Sequence, residues 1–358
     1  MSARKLVTLA LAGLVLAASA ACSSSSDADE PTPSGSATSD GSTTVDAPDT
    51  LRIAYQQIPN GDLVVKHNKW LEAALPDTKI DWVRFDSGGD VNTAVVAGSV
   101  DIGLAGSSPV TRGLSEPLNI PYQVAWIHDV IGDAESLVAR DGSGITSIAD
   151  LKGHKIATPF ASTSHYSLVA ALTDAGLSTD DVTLVDLQPA DILAAWTRGD
   201  VDAAYVWDPT LSQLGGTVLT TSTEQAAAGH PTYDLGVVTT ALAQKYPGVV
   251  DAWLTAQDKA VAQLQDETAT AADAIAAELD LSADDVTKQL AGLTFLRGSE
   301  QLVPQYFGTK ATPGAFADSL HQAAEFLHGQ DAIDAVPDVS TLQAGIALDA
   351  LDRTFGQK

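Results

Sequence analysis

The chain has 358 residues, 45% apolar and 18% charged, with 28 glycines and 16 prolines, an ordinary globular composition long enough for two core-forming units with tails. Lys and Arg total 19 against 46 Asp and Glu, and the resulting net charge of −27 excludes a surface that tracks nucleic-acid phosphates. A single cysteine, Cys22, excludes an intrachain disulfide framework and a thiolate metal cluster.

Arg4 and Lys5 precede an apolar run over residues 6–15, followed by small residues at 17–21 and then Cys22. This order predicts a secretory signal peptide over 1–21, with an apolar run too short to span a bilayer. Small residues directly before one cysteine resemble the lipobox of bacterial lipoproteins, with Ser19 where leucine is usual. The resemblance implies a lipid on Cys22 that anchors the chain outside the cell membrane. Residues 22–49 are mostly Ser, Thr, Asp, Gly and Pro with little to bury, and are expected to form a flexible tether.

From Leu51 onward, short β-rich runs alternate with helix-period segments, which predicts an α/β fold with mostly parallel sheets and crossover helices. Strands are expected at 51–55, 80–85, 100–104, 156–158 and 182–187, with a return strand around Val237 and Val238. Helices are expected at 63–75, 90–97, from Pro109 to 114, and at 165–175 before Gly176. Beyond Tyr246 the chain is alanine-rich and helical, and reads as packing.

An internal echo links Gly98-Ser-Val-Asp101 through Pro109 to Gly199-Asp-Val-Asp202 through Pro209. Each copy runs from a glycine stop through Val-Asp into a strand and a polar turn. It suggests two lobes of related topology, chance similarity of two ordinary βα segments being the alternative. The boundaries expected are 50–138 with 237–358 for lobe 1 and 139–236 for lobe 2, with hinges near 136–140 and 235–239.

An open parallel sheet binds ligands beyond the carboxyl ends of its strands, which here means the turns at 55–62, 106–109, 160–165 and 207–209. Ser107 or Ser108 is placed to cap a helix ahead of Pro109, and Ser162-Thr163-Ser164-His165-Tyr166 repeats the arrangement with hydroxyls at the cap. Helix starts accept anions, so two of them facing one cleft would suit a sulfonate; ordinary helix capping is the alternative. None of the four turns carries Arg or Lys, which weighs against phosphate or a dicarboxylate. Trp207 with Asp208, and Asp234 further on, offer an aromatic face and carboxylates to an ammonium group. The alternatives are a core Trp207, a helix-capping Asp208 and a solvated Asp234. Neutral donors opposite carboxylates would suit a small zwitterion.

Catalytic signals are absent. Ser164 and His165 are adjacent in sequence and cannot form a nucleophile–base pair unaided, and no Gly-x-Ser-x-Gly, Gly-x-Gly-x-x-Gly or Walker lysine occurs. His321, Glu325 and His328 have metal-ligand spacing but read as a solvated helix face. Neither an enzyme nor a cofactor or metal is predicted.

The segments Phe85-Asp-Ser-Gly to Gly106-Ser-Ser-Pro109, Asp150-Leu-Lys-Gly-His-Lys-Ile-Ala157, Pro159-Phe-Ala-Ser-Thr-Ser-His-Tyr-Ser-Leu168 and Ala195-Trp-Thr-Arg-Gly-Asp-Val-Asp-Ala-Ala-Tyr-Val-Trp-Asp-Pro209 resemble the taurine-binding branch of the ABC-transporter solute-binding proteins. These belong to the type II periplasmic-binding superfamily of sulfonate, nitrate and taurine binders. The likeness covers about residues 51–245 well and the remainder loosely. It implies a two-lobed Venus-flytrap receptor, a monomer, that delivers taurine to a permease with a cytoplasmic ATPase; a binder of simple alkanesulfonates or nitrate, or an enzyme on the same fold, are the alternatives. Carried over, it places the sulfonate at Ser107, Ser108, Ser164, His165 and Tyr166, and the amine at Asp208 or Asp234 beside Trp207. Gln57 belongs to the first loop, where Asn60 replaces an acidic residue usual in relatives.

Overall fold

The computed structural model describes residues 45–356; the expected signal peptide, Cys22 and the tether up to residue 44 lie outside the described residues. The chain first builds β1 (Thr50–Gln56), α1 (Gly61–Asn68), α2 (Trp70–Ala74), β2 (Lys79–Phe85), α3 (Gly88–Val96), β3 (Ile102–Gly106), α4 (Ser107–Leu114) and β4 (Tyr122–Ile131). It then crosses into β5 (Glu135–Ala139), β6 (Lys155–Thr158), α5 (Thr163–Asp174), β7 (Thr183–Asp186), α6 (Pro189–Arg198), β8 (Ala203–Trp207), α7 (Thr210–Leu214), β9 (Thr217–Thr221) and α8 (Ser222–Ala227). The return adds β10 (Tyr233–Thr239), α9 (Thr240–Lys245), α10 (Pro247–Asp266), α11 (Thr268–Leu279), α12 (Ala283–Leu290), β11 (Leu293–Thr294) and α13 (Gly298–Gln301). Helices α14 (Phe316–Gly329), α15 (Val339–Ala344) and α16 (Leu348–Phe355) close the chain.

Two sheets result, a six-stranded one in the order β11-β4-β10-β3-β1-β2 and a five-stranded one in the order β7-β6-β8-β5-β9. Read from β2 and from β7 they match strand for strand: three parallel strands, then two antiparallel neighbours. The sequence echo is the local cause. Asp101 at the foot of β3 accepts from the Arg52 backbone N–H of β1 at 2.9 Å, and Asp202 at the foot of β8 accepts from the Lys155 backbone N–H of β6 at 3.0 Å. Each aspartate ties its strand to the parallel neighbour, and the glycine before it, Gly98 or Gly199, takes the positive φ that ends the preceding helix.

Several sequence expectations shift. The helix expected at 63–75 is broken, because Lys69 takes a left-handed conformation (φ 53°) between α1 and α2. Strand β4, invisible as an alternating pattern, is an apolar run in the interior of its sheet and so buried on both faces. Its presence moves the crossings. The lobe boundaries expected at 138/139 and 236/237 fall inside β5 and β10, which belong wholly to the second and first sheets respectively. The chain passes between lobes at 132–134 and 228–232, segments joined side by side by Ile131 N–H donating to the Thr232 carbonyl at 3.0 Å. The crossings therefore lie there rather than at 136–140 and 235–239, which fall in or beside strands held by ladders on both sides. Among the described residues no helix is long and apolar enough to cross a membrane.

The first lobe's core is the larger, with Trp126, Trp253, Phe307 and Phe316 fully buried. Beneath the β1–α1 loop it encloses polar groups. Asn60 caps α1 by accepting from the Asp62 N–H at 2.8 Å, and Gln257 of α10 donates to Asp62 Oδ1 at 2.6 Å. Burial pushes the Asp62 carboxyl up to about 7, and burial pulls His128, 3.8 Å away, down to about 3, so the two do not form an ion pair at neutral pH. A raised carboxyl contributes stability below the ordinary carboxylate range, and that contribution is lost as pH rises through about 7. Asp62→Asn is accordingly expected to melt above wild type by more at pH 8 than at pH 5, checked by calorimetric melting at both.

Candidate functional site

The cavity between the lobes is built from strand ends and the crossings. Gln56, Ile58 and Pro59 come from the β1–α1 loop, Gly106 and Pro109 from the β3–α4 junction, Ser162 and Thr163 from the start of α5, and Trp207 and Asp208 from the end of β8. Ile131, Ala134, Glu135 and Asp234 line it from beside the crossings. Helices α4 and α5 begin at this cavity, with Gly106 and Ser162 as their caps. Their first N–H groups have no partner within the helix and carry the positive end of the helix dipole.

At Gly106 the lobes nearly touch: a Cβ there would lie 2.8 Å from Thr163 Cγ2 across the cavity. The acidic wall stands opposite these helix starts in chemistry. Glu135 is fully buried and accepts from Thr163 Oγ1 at 2.6 Å, Ser164 Oγ at 2.9 Å and Ser222 Oγ at 2.9 Å. Burial still raises its pKa despite those three donors. Asp234 sits in β10 and lines the cavity, and burial followed by the neighbouring Glu135 charge raises it. Asp208 anchors α7 through Oδ1, which accepts from Ser212 N–H at 2.9 Å and from its hydroxyl; burial raises its pKa. Among the described residues no Lys, Arg or His stands within ion-pair distance of these three carboxylates.

Of the residues expected from sequence, Trp207, Asp208 and Asp234 are brought together in the cavity. Asp234 lies within β10 rather than before it, paired to Gly106 on one side and Asp129 on the other. The expected oxyanion donors are placed differently. Ser107 Oγ accepts from Tyr233 N–H at 3.3 Å, Ser108 is wholly buried, and Ser164 turns to Glu135. His165 stacks on Phe160 at 4.6 Å, its Nδ1 accepting from Ala161 N–H, and burial lowers it to about 4, so it is neutral at pH 7. Tyr166 faces a separate groove against Phe326 and His230. The cause is helical geometry: α5 points its start at the cavity, so Ser162 and Thr163 line it while the residues that follow turn away around the helix, Ser164 to Glu135, His165 to Phe160 and Tyr166 to the neighbouring groove. Gln57 also yields to Gln56, whose Nε2 donates to the Leu104 carbonyl at 3.0 Å, because successive strand residues face opposite ways. Sequence reading missed Glu135 and Asp129 altogether. A carboxylate inside the apolar run Val-Ala-Trp-Ile-His-Asp129-Val-Ile was the available signal. His321 bonds the Pro337 carbonyl and stands 3.9 Å from Glu325.

Paired sheets with hinge crossings between them and a cavity at the strand ends define the two-lobed α/β fold of the periplasmic binding proteins. Solved structures agree: the periplasmic aliphatic sulphonate binding protein SsuA from Escherichia coli superposes with a TM-score of 0.66 at 26% identity, over 82% of this chain and 92% of that one. The alkanesulfonate-binding protein SsuA from Xanthomonas axonopodis pv. citri bound to MOPS gives 0.68 at 24% identity, over 84% and 98%. The chain belongs to the NMT1/THI5-like family, whose model matches residues 79–271. It is also 43% identical over 176 residues to the taurine-binding periplasmic protein of Escherichia coli K12, a match spanning 49% of this chain and 54% of that relative. The chain thus spans about half the length of curated relatives it matches.

Proposed function

We propose that the protein is an extracytoplasmic solute-binding lipoprotein, anchored through Cys22, that captures taurine or a close aminosulfonate and passes it to an ABC permease. The observation that carries the reading is a cavity whose lining gathers the starts of α4 and α5, the carboxylates Asp208, Asp234 and Glu135 and the Trp207 face, with no basic side chain among them. A sulfonate is a strong acid that accepts hydrogen bonds without exchanging protons, and the backbone N–H groups in the first turns of α4 and α5, after the caps Gly106 and Ser162, suit it. An ammonium group suits the carboxylates. Because the lining comes from both lobes, a ligand that touches both favours the closed arrangement.

Likeness to sulfonate and taurine binders supports the ligand class. Simple alkanesulfonates or nitrate fit less well, since neither brings a cation to carboxylates that have no basic partner among the described residues. The test is a melting-temperature panel. Taurine at 100 times its dissociation constant should add about 2.7 kcal/mol of stability, a rise of roughly 4 °C. Ethanesulfonate, which lacks the amine, should add little; an equal rise would remove the carboxylates from the reading.

A further inference from the structure

Behind the cavity wall lies a group that ligand capture as described leaves unused. Asp129 of β4 stands directly opposite Asp234 of β10 in the antiparallel ladder, so both side chains leave the same face of the sheet. Directly opposed like charges repel. Asp129 is 0% exposed, and neither carboxylate oxygen has a hydrogen-bond partner. An ionised carboxylate held this way would be desolvated and uncompensated. Its protonated form is a donor, and Asp234 opposite is an acceptor.

Neighbouring elements supply no countercharge. In the sheet, β11 offers only Leu293 and Thr294, and the next residue along β4, His128, faces Asp62 and Trp253. On the helices packed against β4, Arg353 pairs with Asp251, Lys245 lies over Tyr246 and Lys259 over Trp70. Arg297, beside α13, pairs with Asp258, and Glu300 of α13 accepts from the Arg297 N–H. Asp349 of α16 pairs with Lys310, and Asp352 accepts from the Lys310 N–H. Glu135 adds a third carboxylate at the start of β5, facing Tyr205 of β8, while Glu224 of α8 turns to Thr220 and Thr221.

We propose that the Asp129–Asp234 pair, with Glu135 beside it, holds a proton in the ligand-free protein and gives it up to solvent when a cationic group enters the cavity. The exchange balances: one carboxylic acid becomes a carboxylate, the proton passes to buffer, and the ligand's ammonium replaces it as the positive charge. The cluster then selects for cations, since a neutral or anionic tail offers nothing for the proton to leave for. Burial, then the charges of Asp234 and Glu135, raise Asp129 well above the ordinary carboxylate range, consistent with a held proton. Below the cluster's titration, affinity for the cation should rise up to tenfold per pH unit, levelling off above it.

The inference rests on the aminosulfonate reading for its ligand but not for all of its test. Calorimetric titration with taurine at pH 7 in phosphate and in Tris should give heats that differ by the buffers' ionisation enthalpies times about half to one proton released. Asp129→Asn should abolish that difference. In ligand-free protein, the Asp129 contribution to stability is present at low pH and lost as pH rises. Wild type should therefore lose roughly 2–4 °C more than Asp129→Asn between pH 5 and pH 8, Asp62 contributing equally to both. Heats independent of buffer, a buffer dependence that persists in Asp129→Asn, or identical melting slopes would each overturn the proposal. If taurine gives no heat at all, the ligand reading fails and the melting comparison still decides this one; if Asp129→Asn does not fold, the wild-type buffer comparison decides it.

Discussion

Asp234→Asn is expected to weaken taurine binding about 100-fold while raising the melting temperature of the ligand-free protein. Removing one partner of a buried charge pair costs about 2–5 kcal/mol, and 100-fold is about 2.7 kcal/mol. The loss is not total, because Asp208 keeps one oxygen clear of its bonds to Ser212. The gain in stability has a separate origin. Asp234 faces Asp129 across the ladder and feels the Glu135 charge, and among the described residues no ion pair offsets either. An amide there removes a repulsion that otherwise only a held proton or the ligand's cation relieves, so stability is set against function at the same atom. Calorimetric binding and melting of the two proteins at pH 7 measure both effects. Unchanged affinity would move the amine elsewhere in the cavity.

Gly106→Val is expected to leave the ligand-free fold within about 1 kcal/mol of wild type and to lower affinity by roughly 10- to 100-fold. Gly106 has φ −62° and ψ 161°, a conformation that valine accepts at the end of a strand. Within its own lobe the nearest obstacle to a Cβ is Pro109 Cδ at 3.6 Å, an ordinary contact, whereas Thr163 Cγ2 of the other lobe stands at 2.8 Å. The clash therefore exists only when the lobes are together. Overpacking typically costs about 1–3 kcal/mol, and a cost borne by the closed state alone reduces apparent affinity by the fraction of closed molecules lost. The double variant with Thr163→Ser, which removes the opposing methyl and keeps the hydroxyl on Glu135, should recover part of the affinity. Small-angle scattering with saturating taurine reports closure directly. Wild-type affinity in Gly106→Val would mean that the ligand is held without the lobes meeting here.

The two lobes were legible because their cause is local. A glycine stop, Val-Asp and a strand are read within one window, and Asp101 and Asp202 perform the same bond in each sheet. That Trp207 and Asp208 reach the cavity was legible for a related reason, since they stand at the carboxyl end of a strand of the sheet, whereas Asp234 reaches it from within β10. Strand β4 was not, because a strand buried on both faces has no alternation to betray it. With it went the hinge positions, Asp129 and Glu135.

Composition and local pattern therefore settled the α/β class and the doubled topology, and offered Trp207, Asp208 and Asp234 as candidates for a cation, all from residues near one another along the chain. Only the folded arrangement decided which hydroxyls face the cavity, that Ser164 serves Glu135 and His165 stacks on Phe160, and that Asp129 meets Asp234 across a ladder joining residues more than a hundred positions apart. Side-chain direction on a helix and pairing between distant strands depend on how elements dock, and docking is set by contacts that no short stretch of sequence contains.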